Sequence, residues 1–258
     1  MTVAYDKILF FGDSITQGAY NPDGGFAFGA AIQHAYSRKM DVLQRGYGGY
    51  NSDHAAAVFP FILQQEKNVK LMILFFGTND SIIPESKNHV PIPRFRENTQ
   101  GIVRAAQDAG IKVVLIGPGP FDHHQFITVM EEGWVCDRTT LRARAYCDAA
   151  VELGQELRIP IVPLWYLIMS ELGWKDGEPV YGLEEIPDKG YFKEYFNDGL
   201  HFLGPAYRIM FTNVMKAIKE WYPELHPDHI VDRLPQCDET MTLESLKKAL
   251  EAGHQIGA

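Results

Sequence analysis

The chain has few cysteines, no long apolar run and no surplus of basic residues, and each shortage removes a class of protein. Its three cysteines, Cys136, Cys147 and Cys237, form no CxxC pair. So sparse and odd a set fits reduced thiols in a cytosolic protein and predicts no structural disulfide. The apolar run near the start, Ile8 to Phe11, is short and has Asp6 ahead of it and Asp13 behind it, whereas a secretory leader needs a longer stretch after a basic start. The longest other run, Leu71 to Phe76, falls far below the roughly 20 residues of a membrane span. The expectation is a soluble, cytoplasmic protein without a stable membrane anchor. Lys and Arg number 24 against 33 Asp and Glu, a formal charge of -9, and the basic residues are scattered. Such a surface repels phosphate backbones, so nucleic acid is not an expected partner. A phosphate-binding GxxxxGK[ST] loop is also missing, and the loop that could hold phosphate carries Asp13.

What is present is enough apolar material for one large core: 46% of the 258 residues are hydrophobic and 12% aromatic. Short β-rich runs recur at Lys7 to Phe11, Met40 to Leu43, Val69 to Phe76, Ile111 to Ile116 and Ile159 to Leu164. They are continuous rather than alternating, which predicts strands covered on both faces. Helical stretches intervene, so the fold class is α/β with a parallel sheet. Helices are predicted over Phe26 to Ser37, Asp53 to Gln65, Pro93 to Gly110, Arg138 to Leu157 and Ala206 to Trp221. In the fourth of these, Leu141, Ala145, Ala149, Leu153 and Leu157 step by four and predict the buried stripe. Residues 173–200, rich in Gly, Glu, Asp and Tyr, read as an irregular excursion of the kind that shapes a pocket. Beyond Pro223 the character changes to prolines and acids, then a short helix capped by Thr242, with Leu243, Leu246 and Leu250 on one side and Gly253 at its end. The division is therefore a domain over 1–222 and an extension over 223–258, a strap on the domain or an oligomer contact, which leaves a homodimer open.

Four stretches can carry chemistry. FFGDSITQG places Ser14 at the exit of the first strand, where free backbone N–H groups favour an anion beside its hydroxyl. Alone, the stretch reads first as a helix cap by Asp13 or Ser14, and Thr16 breaks the GxSxG elbow of another hydrolase class. Among nine histidines, His201 has the suggestive neighbour: Asp198 lies three residues earlier, a step that brings both side chains to one side of a turn. An isolated DxxH, however, is usually an ordinary loop. Loops after the second and third strands, Gly46-Tyr47-Gly48-Gly49-Tyr50-Asn51 and Gly77-Thr78-Asn79-Asp80, would gather at one sheet edge, where such folds bind ligands. There a glycine N–H and the Asn79 amide are donors suited to an oxyanion. His123 and His124 beside Asp122 lack the spacing of metal ligands and read as loop or rim residues.

Together, Ser14 in GDS, Gly49 in RGYGGYNS, Asn79 in GTND, and Asp198 with His201 in DGLH resemble the four ordered blocks of the SGNH hydrolases, the GDSL lipase and esterase family. The resemblance runs from about Tyr5 to Trp221. KILFFGDSIT, GPGP and DGLHFLGPAY are further similar to the isoamyl acetate-hydrolysing esterase group. It implies a three-layer α/β/α sandwich with a five-stranded parallel sheet in flavodoxin-like order 2-1-3-4-5. It implies also a Ser14–His201–Asp198 triad, an oxyanion hole from Ser14, Gly49 and Asn79, no metal or other cofactor, and a small-molecule ester as substrate. Two departures stand out: Gln44 occupies the place of a common asparagine, and Gly48 competes with Gly49 as donor. Asp13 is expected to brace the first loop. Ile82, Ile83, Phe121 and Phe202 are candidates to line an apolar pocket. Competing expectations are a carbohydrate deacetylase, with Trp134, Trp165, Trp174 and Tyr181 as a sugar platform, and a catalytically silent binding protein on the same fold.

Overall fold

The computed structural model describes residues 4–131, 135–234, 237 and 241–252. Five parallel strands, β1 (Asp6–Gly12), β2 (Met40–Gly46), β3 (Val69–Phe75), β4 (Lys112–Gly117) and β5 (Ile161–Pro163), form one sheet in the order β2-β1-β3-β4-β5. The continuous apolar runs are explained by the two packed faces. Ile8 and Phe10 of β1, Ile73 and Phe75 of β3, and Val114 and Ile116 of β4 point into one core. Their neighbours Leu9, Phe11, Met72, Leu74, Val113 and Leu115 point into the other. Over the first face lie α2 (Phe28–Ala35), α7 (Leu164–Glu171) and α8 (Gly204–Trp221); over the second lie α3 (Ser52–Gln65), α4 (Ile92–Asp108) and α6 (Thr140–Leu157). Two short helices, α1 (Ser14–Gln17) and α5 (His123–Ile127), sit at the loop edge, and α9 (Leu243–Ala252) closes the described chain.

Three local expectations need correction. Of the expected stripe of α6, Ala149 and Leu153 are buried, Ala145 and Leu157 half-buried and Leu141 46% exposed, while the fully covered line is Ala143, Cys147, Ala150 and Gly154, joined by Tyr146. Small side chains on the inner line let the helix lie close against β4 and β5, so side-chain volume rather than hydrophobicity picks the face. Strand β5 is shorter than expected because Pro160 and Pro163 donate nothing to the ladder, and Leu164 already begins α7. That helix, LWYLIMSE, was hidden in a run as apolar as a strand. In the other direction, β2 runs on through Gln44 and Arg45, since an edge strand leaves these residues half-buried. The segment 173–200 contains no helix or strand. Gly253 and Trp134 lie outside the described residues. Among the described residues the cysteines are free, and no helix is long and apolar enough to cross a membrane.

Candidate active site

The first strand must turn sharply at Gly12. A Cβ there would lie 2.0 Å from Thr16 Oγ1 and 2.6 Å from the Phe75 carbonyl oxygen, so only glycine lets α1 fold back over the strand end. Asp13 caps that helix: its Oδ1 accepts from the Ile15 N–H at 2.9 Å. The carboxyl is fully buried, and burial pushes its pKa up to about 6 against the pull of the Ile15 N–H. The helix is pinned from outside, with the Tyr207 hydroxyl donating to the Ile15 carbonyl at 2.7 Å and Gln44 Nε2 to the Thr16 carbonyl at 3.0 Å. Gln44 Oε1 also accepts from the Gly46 N–H. The departure at Gln44 thus braces the turn that carries Ser14.

His201 arrives on a loop that holds its own shape. Asp198 Oδ1 accepts from the N–H groups of Leu200 (3.0 Å) and His201 (2.8 Å), which leaves Oδ2 for His201 Nδ1 at 2.6 Å. His201 Nε2 then lies 2.9 Å from Ser14 Oγ. Asp198 accepts from Nδ1, so Nε2 is the ring atom free to accept the serine proton. Burial works to raise Asp198, but the hydrogen bonds from the His201 ring and N–H outweigh it and hold the carboxyl below its usual range. The bond to Asp198 raises His201 above its ordinary value, with burial opposing. The imidazole side chain stays 42% exposed, open to an incoming ester.

Donors come from the neighbouring loops. The Tyr47 N–H donates to the Gly12 carbonyl at 2.9 Å, and a Cβ on Gly48 would lie 4.0 Å from Ser14 Cβ, so the second loop runs beside the serine. The Gly48 N–H is taken by Gln17 Oε1 at 2.8 Å. Gly49, at φ +78°, keeps its N–H without a partner among the described residues, as does Ser14. Gly49 is therefore the glycine with a donor to offer. Asn79 Nδ2 donates to the Tyr50 carbonyl at 2.9 Å, and the Ser52 N–H donates to both oxygens of Asp80. These bonds stitch the second and third loops together. Burial pushes Asp80 up to about 7.

A hydroxyl hydrogen-bonded to a carboxylate-held imidazole, next to unspent N–H groups, is equipped for acyl transfer. Residues 10–209 match the GDSL-like lipase/acylhydrolase family. The chain belongs to that family. The isoamyl acetate-hydrolyzing esterase of Saccharomyces cerevisiae is 34% identical over 240 residues, spanning 89% of this chain and 93% of its own. A GDSL esterase/lipase of Arabidopsis thaliana is 28% identical over 86% of this chain and 83% of its own. Among solved structures, a lipase/acylhydrolase of Enterococcus faecalis aligns with a TM-score of 0.60 at 19% identity, over 90% of this chain and all of that one. The acetylxylan esterase Axe2 of Geobacillus stearothermophilus aligns with a TM-score of 0.61 at 16% identity, over 84% and 96%. At such identities the likeness is one of fold. The protein is a serine esterase of the GDSL type.

In this GDSL esterase the expected apolar residues sit deeper than a pocket wall. Ile82, Phe121 and Phe202 are 2%, 2% and 6% exposed, and only Ile83 is half-buried. Phe202 packs among Phe75, Phe196 and Tyr207, beneath the histidine, and Phe121 against Phe126. Among the described residues the expected sugar platform does not assemble: Trp165 and Trp174 meet edge to face inside the core, and Tyr181 stacks on Tyr191. His123 and His124 open α5 rather than a loop, and His124 Nε2 ties to the carbonyls of Leu183 and Ile186. Two arginines went unnoticed in the sequence. Arg138 donates to the Thr78 carbonyl and Asn79 Oδ1, and Arg142 to the Ser81 and Ile82 carbonyls. Arg138 lies in the loop before α6 and Arg142 on its first turn, and neither carries a periodic or motif signal, so nothing in the chain marks them.

Proposed function

We propose that this esterase hydrolyses short-chain esters, acetates of small alcohols foremost, through an acyl-enzyme on Ser14. The observation that carries the reading is the hydrogen-bond chain Ser14 Oγ, His201 Nε2, His201 Nδ1, Asp198 Oδ2; the named substrate of the yeast relative supports the acetate preference. His201 Nε2 takes the Ser14 proton as Oγ bonds to the ester carbonyl carbon. The oxyanion receives the N–H groups of Ser14 and Gly49 and one Nδ2 hydrogen of Asn79. The imidazolium, stabilised by Asp198, protonates the departing alkoxide. Water then gives a proton to Nε2 and attacks the acetyl carbon, and its proton returns to Ser14 Oγ as acetate leaves. Phe202, next in the chain to His201, packs on Phe196 and Tyr207 and supports the loop that carries the base. Residues 1–222 form the catalytic domain in this reading. The start of the extension packs on it, as the bonds of Tyr36 Oη to the Leu225 carbonyl and of the Arg233 N–H to the Arg38 carbonyl support.

The test is a series of p-nitrophenyl esters from acetate to palmitate alongside isoamyl acetate and acetylated xylose. The expected result is the highest kcat/KM on acetate or butyrate, with isoamyl acetate turned over faster than the sugar. An optimum at long acyl chains would contradict the short-ester reading, and preference for the sugar would replace it by a deacetylase.

A further inference from the structure

An asparagine amide is a useful oxyanion donor only in one of its two orientations. Its oxygen and nitrogen have nearly the same shape, and a flipped amide would present lone pairs to the negative charge. Around Asn79 the choice is made by two groups that cannot exchange roles. The Tyr50 carbonyl only accepts and takes one Nδ2 hydrogen at 2.9 Å. The Arg138 guanidinium only donates and reaches Oδ1 with Nη2 at 3.1 Å. The second Nδ2 hydrogen is left without a partner among the described residues.

Arg138 is suited to more than filling space. Its side chain is only 16% exposed, and Nη1 donates to the Thr78 carbonyl at 2.8 Å, fixing the backbone immediately before Asn79. The Ile83 N–H donates to the Asp137 carbonyl at 2.8 Å, so the arginine's own backbone is docked on the same loop. The Asp137 carboxylate stands off at 3.7 Å from Nε and forms no close two-pronged pair. A cation donating to Oδ1 draws electron density from the amide and makes its N–H a stronger donor. Arg142, one turn into α6, also grips this loop, but only through the carbonyls of Ser81 and Ile82. Among these clamps Arg138 is the one that touches the Asn79 side chain.

We propose that Arg138 is the positioning residue of the oxyanion hole: it locks and polarises the Asn79 amide, so that the two act as one unit in the transition state. The inference rests on the reading of Asn79 as an oxyanion donor. It is tested by a double-mutant cycle on p-nitrophenyl acetate with Asn79→Ala, Arg138→Met and the double variant, each checked for folding by circular dichroism and thermal melting. Arg138→Met is expected to lower kcat about 10- to 100-fold with KM changed less than about threefold. In the Asn79→Ala background the same change is expected to lower kcat by less than about threefold. Arg138→Lys, whose single ammonium cannot serve both acceptors in the same geometry, is expected to restore part of the loss. If Arg138→Met does not fold, Arg138→Lys and Arg138→Gln carry the same cycle. Equal losses with and without Asn79, a loss confined to KM, or an unchanged kcat in the folded variants would overturn the inference alone. An unchanged kcat for Asn79→Ala by itself would overturn the oxyanion reading and the inference with it.

Discussion

The two halves of the site are built by different physics. Ser14, Gly49 and Asn79 stand on turns that leave adjacent strands of one sheet, and the strand ladder sets those turns side by side. His201 and Asp198 stand on an excursion with no strand or helix of its own. That excursion is held by single tethers: Gln125 Nε2 to the Phe196 carbonyl, the Asp122 N–H to the Gly199 carbonyl, and His124 to the carbonyls of Leu183 and Ile186. The ring stack Phe192, Phe196 and Phe202 lies beneath it. Ser14 is therefore positioned by the fold and His201 by a network. Loss of one tether should misplace His201 and leave Ser14, Gly49 and Asn79 where they are.

The largest effect should come from the chemistry shared by both halves. Ser14→Ala is expected to lower kcat on p-nitrophenyl acetate by about 10⁴-fold or more with the melting temperature nearly unchanged, measured side by side with the parent. Asp198→Asn breaks the network half at its centre and should cost about 10⁴-fold in kcat by losing control of the tautomer. Since Asp198 raises His201, the parent's kcat/KM should fall as pH drops through a midpoint above the ordinary histidine value, and the variant's residual activity should show that limb moved to lower pH. An unmoved limb would mean that another group titrates.

On the sheet half, Asn79→Ala should lower kcat by roughly a hundredfold or more, and survival of turnover within about threefold would remove Asn79 from the donors. Gln125→Ala tests the difference between the halves directly. It should lower kcat by a smaller factor, about tenfold, through a misplaced His201. The smallest effect is on stability. Burial raises Asp80 to about 7, so its carboxyl binds a proton more tightly folded than unfolded. Its contribution is present at low pH and is lost as pH rises through about 7. Thermal melts at acid and mildly alkaline pH should show Asp80→Asn gaining on the parent as pH rises; the reverse trend would contradict the buried-acid reading.

The same contrast governs what could be read from the chain. The sheet half was legible because apolar runs ending in glycine mark strand exits, and Ser14, Gly49 and Asn79 each follow one. The Asp198 and His201 pair was legible through its spacing, although only the other blocks lifted it above an ordinary loop. Gly48 and Gly49 could not be told apart without Gln17, whose side chain occupies one N–H and leaves the other. Arg138 was illegible because it lies in a loop before α6 and meets Asn79 only through tertiary contact. The inner face of α6 was read only in part: Ala149 and Leu153 are buried as the stripe implies, but its closest line is the small residues Ala143, Cys147, Ala150 and Gly154 rather than Leu141 and Ala145. The pocket candidates were placed near the site by their positions in the chain, but burial of Ile82, Phe121 and Phe202 depends on packing that no local pattern encodes.

The central claim is that Ser14 is the nucleophile, activated by a histidine brought from a distant loop. Incubation with a fluorophosphonate, followed by intact-mass measurement and peptide mapping, tests it most directly. The account predicts one adduct per chain, on Ser14, lost in Ser14→Ala and slowed in Asp198→Asn. An adduct on any other residue, or none on the active protein, would contradict it.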